Sequence, residues 1–438
     1  TPFELVGPVR GSDLVKTSAD PAGTTPLGTF GNCAGGTTPW GTILSGEENF
    51  NGYFTQPAAP SDDLAGEAAA RYGLAGGSAA QHNWDRLDDR FDLTKEPNEA
   101  HRHGWIVEVN PFEPDAKPRK LSALGRFKHE GANVVVAGDG RVVVYMGDDE
   151  RFDYMYKFVS AATYVEGDAA ANRTLLDEGD LYVAKFTGNG TGDGLHDGTG
   201  EWLPLVVDGE SQVDGMSLEE VLVFTRLAAD KVGPTKMDRP EDVEVNLVNG
   251  RVYAALTNNS KRAPGQVDEA NPRAENKHGQ VLEITPRSGD HTVTGFDWKL
   301  VLICGDPSDP ETYFNGYDKS QVSPISCPDN LAFDSHGNLW VSTDGNALES
   351  NDGLFAVALE GDARGLTKQF LTVPAGAETC GPLVFEKRVL VNVQHPGEMD
   401  DATFEKPGSH WPDGGKSTPR PAVVVVWKKD GNIGVDKK

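Results

Sequence analysis

An all-β chain, built of radially arranged hairpins with loop insertions and little helix, is the fold class this sequence predicts. Three observations lead there. Five stretches repeat one plan: a residue able to bind metal opens a short apolar run, a turn usually follows, and a second apolar run ends in polar groups. Fifty-one glycines and 28 prolines interrupt the chain too often for long helices. No apolar run approaches the ~18 residues of a membrane helix. A strand, a tight turn and a returning strand bring the first and last polar groups of each unit side by side. Repeating such units in one chain is the mark of radial β architecture, where equivalent hairpin ends converge.

In chain order, residues 1–30 read as an extended lead-in. Cys33 opens the first repeat, C-A-G-G-T-T-P-W-G-T-I-L-S-G-E-E-N, which closes on Glu47 and Glu48. An Ala/Gly/Asp-rich insertion, 54–103, holds one short helix at 62–72, and 104–111 is a strand. Glu130 opens the second repeat, within 126–160, and Asp148 and Asp149 close it. Strands at 180–186 and 201–207 flank a Gly/Asp loop. Glu241 opens the third repeat (239–259), which closes on Asn258 and Asn259 ahead of the polar insertion 260–277. Two strands follow, G-Q-V-L-E-I-T-P and F-D-W-K-L-V-L-I-C. Asp329 opens the fourth repeat (326–346), closed by Asp344, and G-L-F-A-V-A-L is a strand. Glu378 opens the fifth (378–398), closed by Gln394 and His395. A loop, 399–421, leads to A-V-V-V-V-W, placed to close the ring beside N-terminal strands. The leftover strands supply a sixth blade, and no interdomain linker is visible, so the chain reads as a single domain over 1–438.

The net charge of −27 disfavours nucleic acid and anionic membrane as partners and suits a chain carrying bound cations. The chain opens on Thr1 rather than Met, so removal of an N-terminal segment, by export processing or by design of the expressed chain, is expected. Four cysteines make no disulfide scaffold, although Cys304 and Cys327 could pair. One acidic strand end is ordinarily a solvated turn residue; five in one register are not independent accidents. Calcium takes 6–8 oxygen ligands, the chemistry these ends offer. Cys33 differs, because a thiolate suits iron or zinc. Arg239, two residues before Glu241, can hold an anion that metals also hold, or it can pair with a neighbouring carboxylate. Arg273 is a second candidate for the same task. His129 and His395 could be ligands, supports for ligands, or core histidines. Walker A, H-E-x-x-H, C-x-x-C and G-x-S-x-G motifs are missing from the sequence.

The first repeat resembles the PhoX family of bacterial alkaline phosphatases. The likeness continues through G-R-F-K-H-E-G-A, V-V-Y-M-G-D-D-E-R-F-D-Y-M-Y-K-F, K-M-D-R-P-E-D, N-P-R-A-E-N, P-D-N-L-A-F-D-S-H-G-N-L-W-V-S-T-D and F-E-K-R-V-L-V-N-V-Q-H-P-G-E. It implies a single six-bladed β-propeller carrying two bridged ferric ions and several calcium ions at its mouth. It also implies hydrolysis of phosphate monoesters, and folded export by the twin-arginine route to the periplasm or beyond. By the same resemblance Cys33, Glu130 and Glu241 match iron ligands, and Glu48, Asp149, Asp329 and Glu378 lie in motifs carrying further metal ligands. Glu47 and Asp148 complete the candidate metal set. Arg239 matches the phosphate-contacting arginine. The expected partners are small phosphate esters, and the expected state is a monomer. Two alternatives remain: a phosphodiesterase or phosphotriesterase on the same scaffold, and a non-catalytic, calcium-stabilised binding propeller.

Overall fold

The hairpin turns are built by short polar side chains. Asp139, Asn249 and Asp334 each accept, through Oδ1, the backbone N–H two residues on at 2.9 Å. Such Asx turns mimic a backbone turn. A glycine completes each at positive φ: Gly140 at 88°, Gly250 at 71° and Gly337 at 80°. The apolar runs on either side then pair as the sequence predicts. The computed structural model describes residues 1–59, 61–345, 347–429, 431 and 433. All five hairpins are present in it. Strand takes 35% of the chain and helix 14%, so the fold is mostly β.

The chain divides into two compact units. The first comprises Thr1–Phe186, Gly200–Lys236 and Asp290–Gly295. Its N-terminal sheet runs Glu4–Val6, Arg119–Leu121, Ile106–Val109, Ile43–Glu47, Asn32–Thr37, with the first pair parallel. A second sheet begins as an antiparallel meander of Asn133–Val136, Arg141–Gly147, Met155–Thr163 and Gly179–Gly188. Phe50, Trp105, Leu121, Val144, Tyr156 and Leu222 are fully buried in the core. Burying side chains of this kind contributes about 1.5–3 kcal/mol each. The helix expected at 62–72 is Leu64–Arg71, N-capped by Asp63. The helices Ala169–Asn172, Leu218–Val223 and Thr225–Val232 were not anticipated, although Ser217 and Glu220 form a capping box at the start of the second of these.

The second unit comprises Thr187–Thr199, Met237–Gly289 and Phe296–Lys438. Pro240–Asn246, Arg251–Leu256, Gln280–Pro286 and Gly295–Ile303 form an antiparallel meander. Pro328–Phe333, Leu339–Thr343, Gly353–Val357 and Thr367–Thr372 form another. Four-stranded meanders of this kind are the blades of propellers. Glu378–Phe385, Arg388–Gln394 and Ala422–Trp427 make a third, three-stranded sheet. Here the structure corrects an expectation: Ala422–Trp427 hydrogen-bonds to Arg388–Gln394, not to N-terminal strands. Alternation sets that choice, since Val424 and Val426 lie opposite the buried Val391 and Val389.

Candidate metal sites

Four of the five repeat-opening residues occupy the same place in their hairpins. In the first hairpin Asn32 pairs with Glu47, but the next pair is Gly35 with Ser45, so one extra residue bulges out after Asn32. The third hairpin pairs Pro240 with Leu256, then Val243 with Ala254. The fourth pairs Pro328 with Thr343, then Leu331 with Val341. In the second, the bridge His129–Asp148 is followed by Asn133 with Tyr145. Cys33, Glu241, Asp329 and Glu130 are thus each the first residue beyond a ladder pair, at the start of a bulge. Bulges turn a side chain off the regular pleat. Two residues earlier, three of the four hairpins hold a left-handed residue: Gly31 at φ 63°, Arg239 at 54° and Cys327 at 52°. For a non-glycine residue that conformation costs roughly 1–2 kcal/mol, which the surrounding ladder must offset.

The fifth hairpin departs from the pattern. Glu378 pairs in register with Gln394, and the bulge falls later, between Cys380 and Leu383. Gly381 therefore holds the equivalent place, and Glu378 stands three residues earlier, two ladder pairs before Cys380–Asn392, hydrogen-bonded by the Gln394 amide.

In the first unit, Cys33, Glu48 and Glu130 offer one sulfur and two carboxylate oxygens within 4.8 Å of one another. Both glutamates are buried and Cys33 is exposed. A thiolate beside two carboxylates suits a transition metal such as iron. Glu47 is not among them. Its Oε1 accepts from Lys120 Nζ at 2.7 Å and its Oε2 from the backbone N–H of Gly104 at 3.1 Å. Burial raises its carboxyl, but Lys120 and His103 outweigh burial and hold it at about 2. Asp148 is likewise taken up, by the guanidinium of Arg226, with Nε to Oδ2 at 2.8 Å. Burial lifts it to about 7 against that pull. With their oxygens engaged, Glu47 and Asp148 are structural ion-pair partners rather than ligands. Asp149 is buried beside Asp148 and outside the three-residue group. His129 is a core histidine: Phe127 stacks on it at 3.6 Å, and burial lowers its pKa to about 3.

The second unit gathers carboxylates, with the thiols of Cys327 and Cys380 within reach of their charge. Glu241 and Asp329 bring oxygens within 4.8 Å of each other. Burial and the charges of Glu241, Asp344 and Glu378 push Asp329 well above its ordinary value. Burial and Asp344 raise Glu378 to about 8. Carboxylates this close cannot all ionise unless cations sit among them, so the donor set fits a hard, oxygen-loving ion such as calcium. Arg239 places Nη2 2.9 Å from Glu241 Oε1. Thr257 Oγ1 lies 2.8 Å from the same oxygen and 2.7 Å from the Pro328 carbonyl. Thr257, Asp344 and Asp352 were missed as site members. Thr257 closes the third hairpin's return strand, where only the two asparagines drew notice. Asp352 accepts from Thr343 Oγ1 at 2.7 Å and from Gly345 N–H at 3.0 Å, fixing the chain beside Asp344.

Arg273 does not serve as an anion clamp. Its Nη1 and Nη2 donate to the carbonyls of Cys304 and Gly279, each at 2.7 Å, and the Gly279 carbonyl also accepts the backbone N–H of Cys304 at 3.0 Å. Cys304 and Cys327 are separate free thiols, both buried. His395 is well exposed, 3.9 Å from Glu398.

The family model for alkaline phosphatase PhoX matches residues 1–397. Among solved structures, Pseudomonas fluorescens PhoX in complex with vanadate, a transition-state analogue, aligns at 39% identity. The alignment covers 99% of this chain and 75% of that one, with a TM-score of 0.86. A polysaccharide lyase of family PL25, an ulvan lyase, aligns at 12% identity over 66% of this chain and 68% of its own, with a TM-score of 0.24, too slight to bear on fold or chemistry. No curated protein matches the sequence.

Proposed function

Given that the chain belongs to the PhoX family of alkaline phosphatases, which are phosphoric monoester hydrolases, we propose that it works through a mixed iron and calcium centre with Arg239 clamping the substrate phosphate. Cys33, Glu48 and Glu130 would hold iron. Asp329, Asp344 and Glu378 supply the oxygen donors for calcium. Bound there, such cations would polarise the phosphoryl group and lower the pKa of water.

The observation that carries the reading is Arg239 itself. Its side chain keeps 21% of its surface exposed, while Glu241 beside it keeps 4%. It is a cationic fork turned toward buried carboxylates yet open to a ligand. A phosphate dianion meeting that fork gains two parallel charge-assisted hydrogen bonds, and gains more as charge spreads over the phosphoryl oxygens during transfer. Thr257 keeps Glu241 oriented while Arg239 turns from one anion to the other. The neighbour's complex with a transition-state analogue supports the same chemistry. No helix among the described residues is long and apolar enough to cross a membrane. We place the enzyme, as a single catalytic domain and a monomer, in the periplasm or outside the cell after folded export.

Elemental analysis combined with turnover of a phosphate monoester, before and after chelation, tests the proposal. Iron and calcium in the active protein, with turnover lost on stripping, is the expected result. Full turnover by metal-free protein would overturn it.

A further inference from the structure

Within the second unit, the third, fourth and fifth hairpins are joined by side chains that stand next to the candidate ligands. Pro240, Glu241 and Asp242 open the third hairpin, and Pro328, Asp329 and Asn330 open the fourth, so proline, acid and Asx residue follow in the same order. In both, the proline makes a ladder pair and the other two residues occupy the bulge. The Asx side chain then leaves its own hairpin. Asp242 Oδ2 accepts the backbone N–H of Leu331 at 3.1 Å, and Asn330 Oδ1 accepts that of Gly381 at 2.7 Å. Asp242 and Asn330 keep only 6% and 4% of their surface exposed. In the first unit Ala34 and Gly131 follow Cys33 and Glu130, and neither carries a side-chain acceptor.

Two ties from the third hairpin bracket Asp329. Ahead of it, the Pro328 carbonyl lies 2.7 Å from Thr257 Oγ1, the hydroxyl that also meets Glu241 Oε1. Behind it, Asp242 holds the Leu331 N–H. Between the two, Ser342 Oγ accepts the Asn330 N–H at 3.1 Å and donates to the Asn330 carbonyl at 3.2 Å, replacing ladder bonds that a bulge gives up. The Asn330 amide Nδ2 stands 3.4 Å from Asp329 Oδ1. Buried backbone N–H groups need acceptors, but that need does not require the acceptor to be the residue following each acid.

We propose that Asp242 and Asn330 are positioning residues, each tying the hairpin that carries one candidate ligand to the backbone of the next hairpin, so that the oxygen-lined site stands formed before a cation enters. The inference rests on the calcium reading of the second unit and names the residues that build its frame. Calcium holds its oxygens at about 2.3–2.6 Å. Asp329 sits on a two-residue bulge, and without the Asp242 tie only its Thr257 side is fixed from the third hairpin. Partners that orient ligands from behind typically account for about 10–100-fold in metal affinity.

The test follows calcium release from the loaded full-length protein to a competing chelator of known affinity, in wild type, Asp242→Ala, Asp242→Asn and Asn330→Ala. Backbone amide exchange is read at Leu331 and Gly381 in each. Asp242→Ala should speed exchange at Leu331 and weaken calcium binding about 10–100-fold; Asn330→Ala should do the same through Gly381. Asp242→Asn keeps a carbonyl acceptor and should restore both slow exchange and affinity. Folded alanine variants that hold calcium as tightly as wild type would reduce the ties to satisfaction of buried backbone groups and overturn the proposal. So would Asp242→Asn with slow Leu331 exchange but weakened calcium binding, a result that stands even where the alanine variants do not fold. A wild-type protein that holds no calcium ends the calcium reading instead, and the exchange rates then decide the ties on their own.

Discussion

Replacing Arg239 separates what its backbone costs from what its guanidinium does. At φ 54° the residue is left-handed, so a Cβ there carries roughly 1–2 kcal/mol of strain. Glycine removes that strain but adds about 0.5–1 kcal/mol of unfolded-chain entropy. Arg239→Gly should therefore be at least as stable as Arg239→Ala. Both lose the fork aimed at phosphate, and losing one such preorganised donor typically costs a factor of roughly 10²–10³, about 3–4 kcal/mol. Arg239→Lys should recover part of the activity, because a point charge cannot reproduce bidentate contact. The assays are kcat/KM on a phosphate monoester, metal content, and urea denaturation of all three variants. Metal content should stay near normal, since no ligand is removed. If Arg239→Ala keeps full turnover, or fails only by losing its metals, then the 2.9 Å pair with Glu241 is the residue's whole role.

Cys33→Ser should abolish a visible thiolate-to-iron absorption band and most activity; a colourless, fully active parent protein would defeat the iron assignment. Chelation should lower both activity and stability, with calcium restoring them better than magnesium because a flexible oxygen cage suits the larger ion; equal recovery with magnesium would count against calcium. In metal-free protein Glu378 is raised from about 4.5 to about 8, and Asp329 is raised as well. A carboxyl whose folded pKa lies above its unfolded one binds more protons when folded, so stability should fall as pH rises through that window. Denaturation midpoints across it should show the loss, and added calcium should flatten it; a rise in stability with pH would contradict the crowded-carboxylate account.

Much of this was legible in the sequence, because alternation and Asx-Gly turns are local. Three of the five hairpins carry an Asx turn closed by glycine, and the first and fifth turn without one. Choosing between adjacent acids was beyond such signals. Glu47 and Glu48 point to opposite sides of a strand end, and what claims Glu47 is Lys120, far along the chain. Asp148 was lost to Arg226 in the same way. Arg273 looked like an anion clamp, but its guanidinium donates to the Cys304 and Gly279 carbonyls, partners that no local signal announces. Glu378 was aligned by residue type, whereas only the ladder register reveals that Gly381 stands where the other hairpins carry their candidate ligands.

The shared bulge acts as a socket that specifies where a donor atom sits and leaves open which atom it is. Cys33, Glu130, Glu241 and Asp329 fill four such sockets with sulfur or oxygen on side chains of three lengths. The metal preference of such a scaffold can drift by single substitutions without redrawing the backbone. The fifth socket, Gly381, carries no donor, and its Cβ would meet the Asn392 amide at 2.7 Å. A lineage that moved Asn392 aside could add a donor there, so the number of donors these hairpins present is an evolvable quantity of the fold.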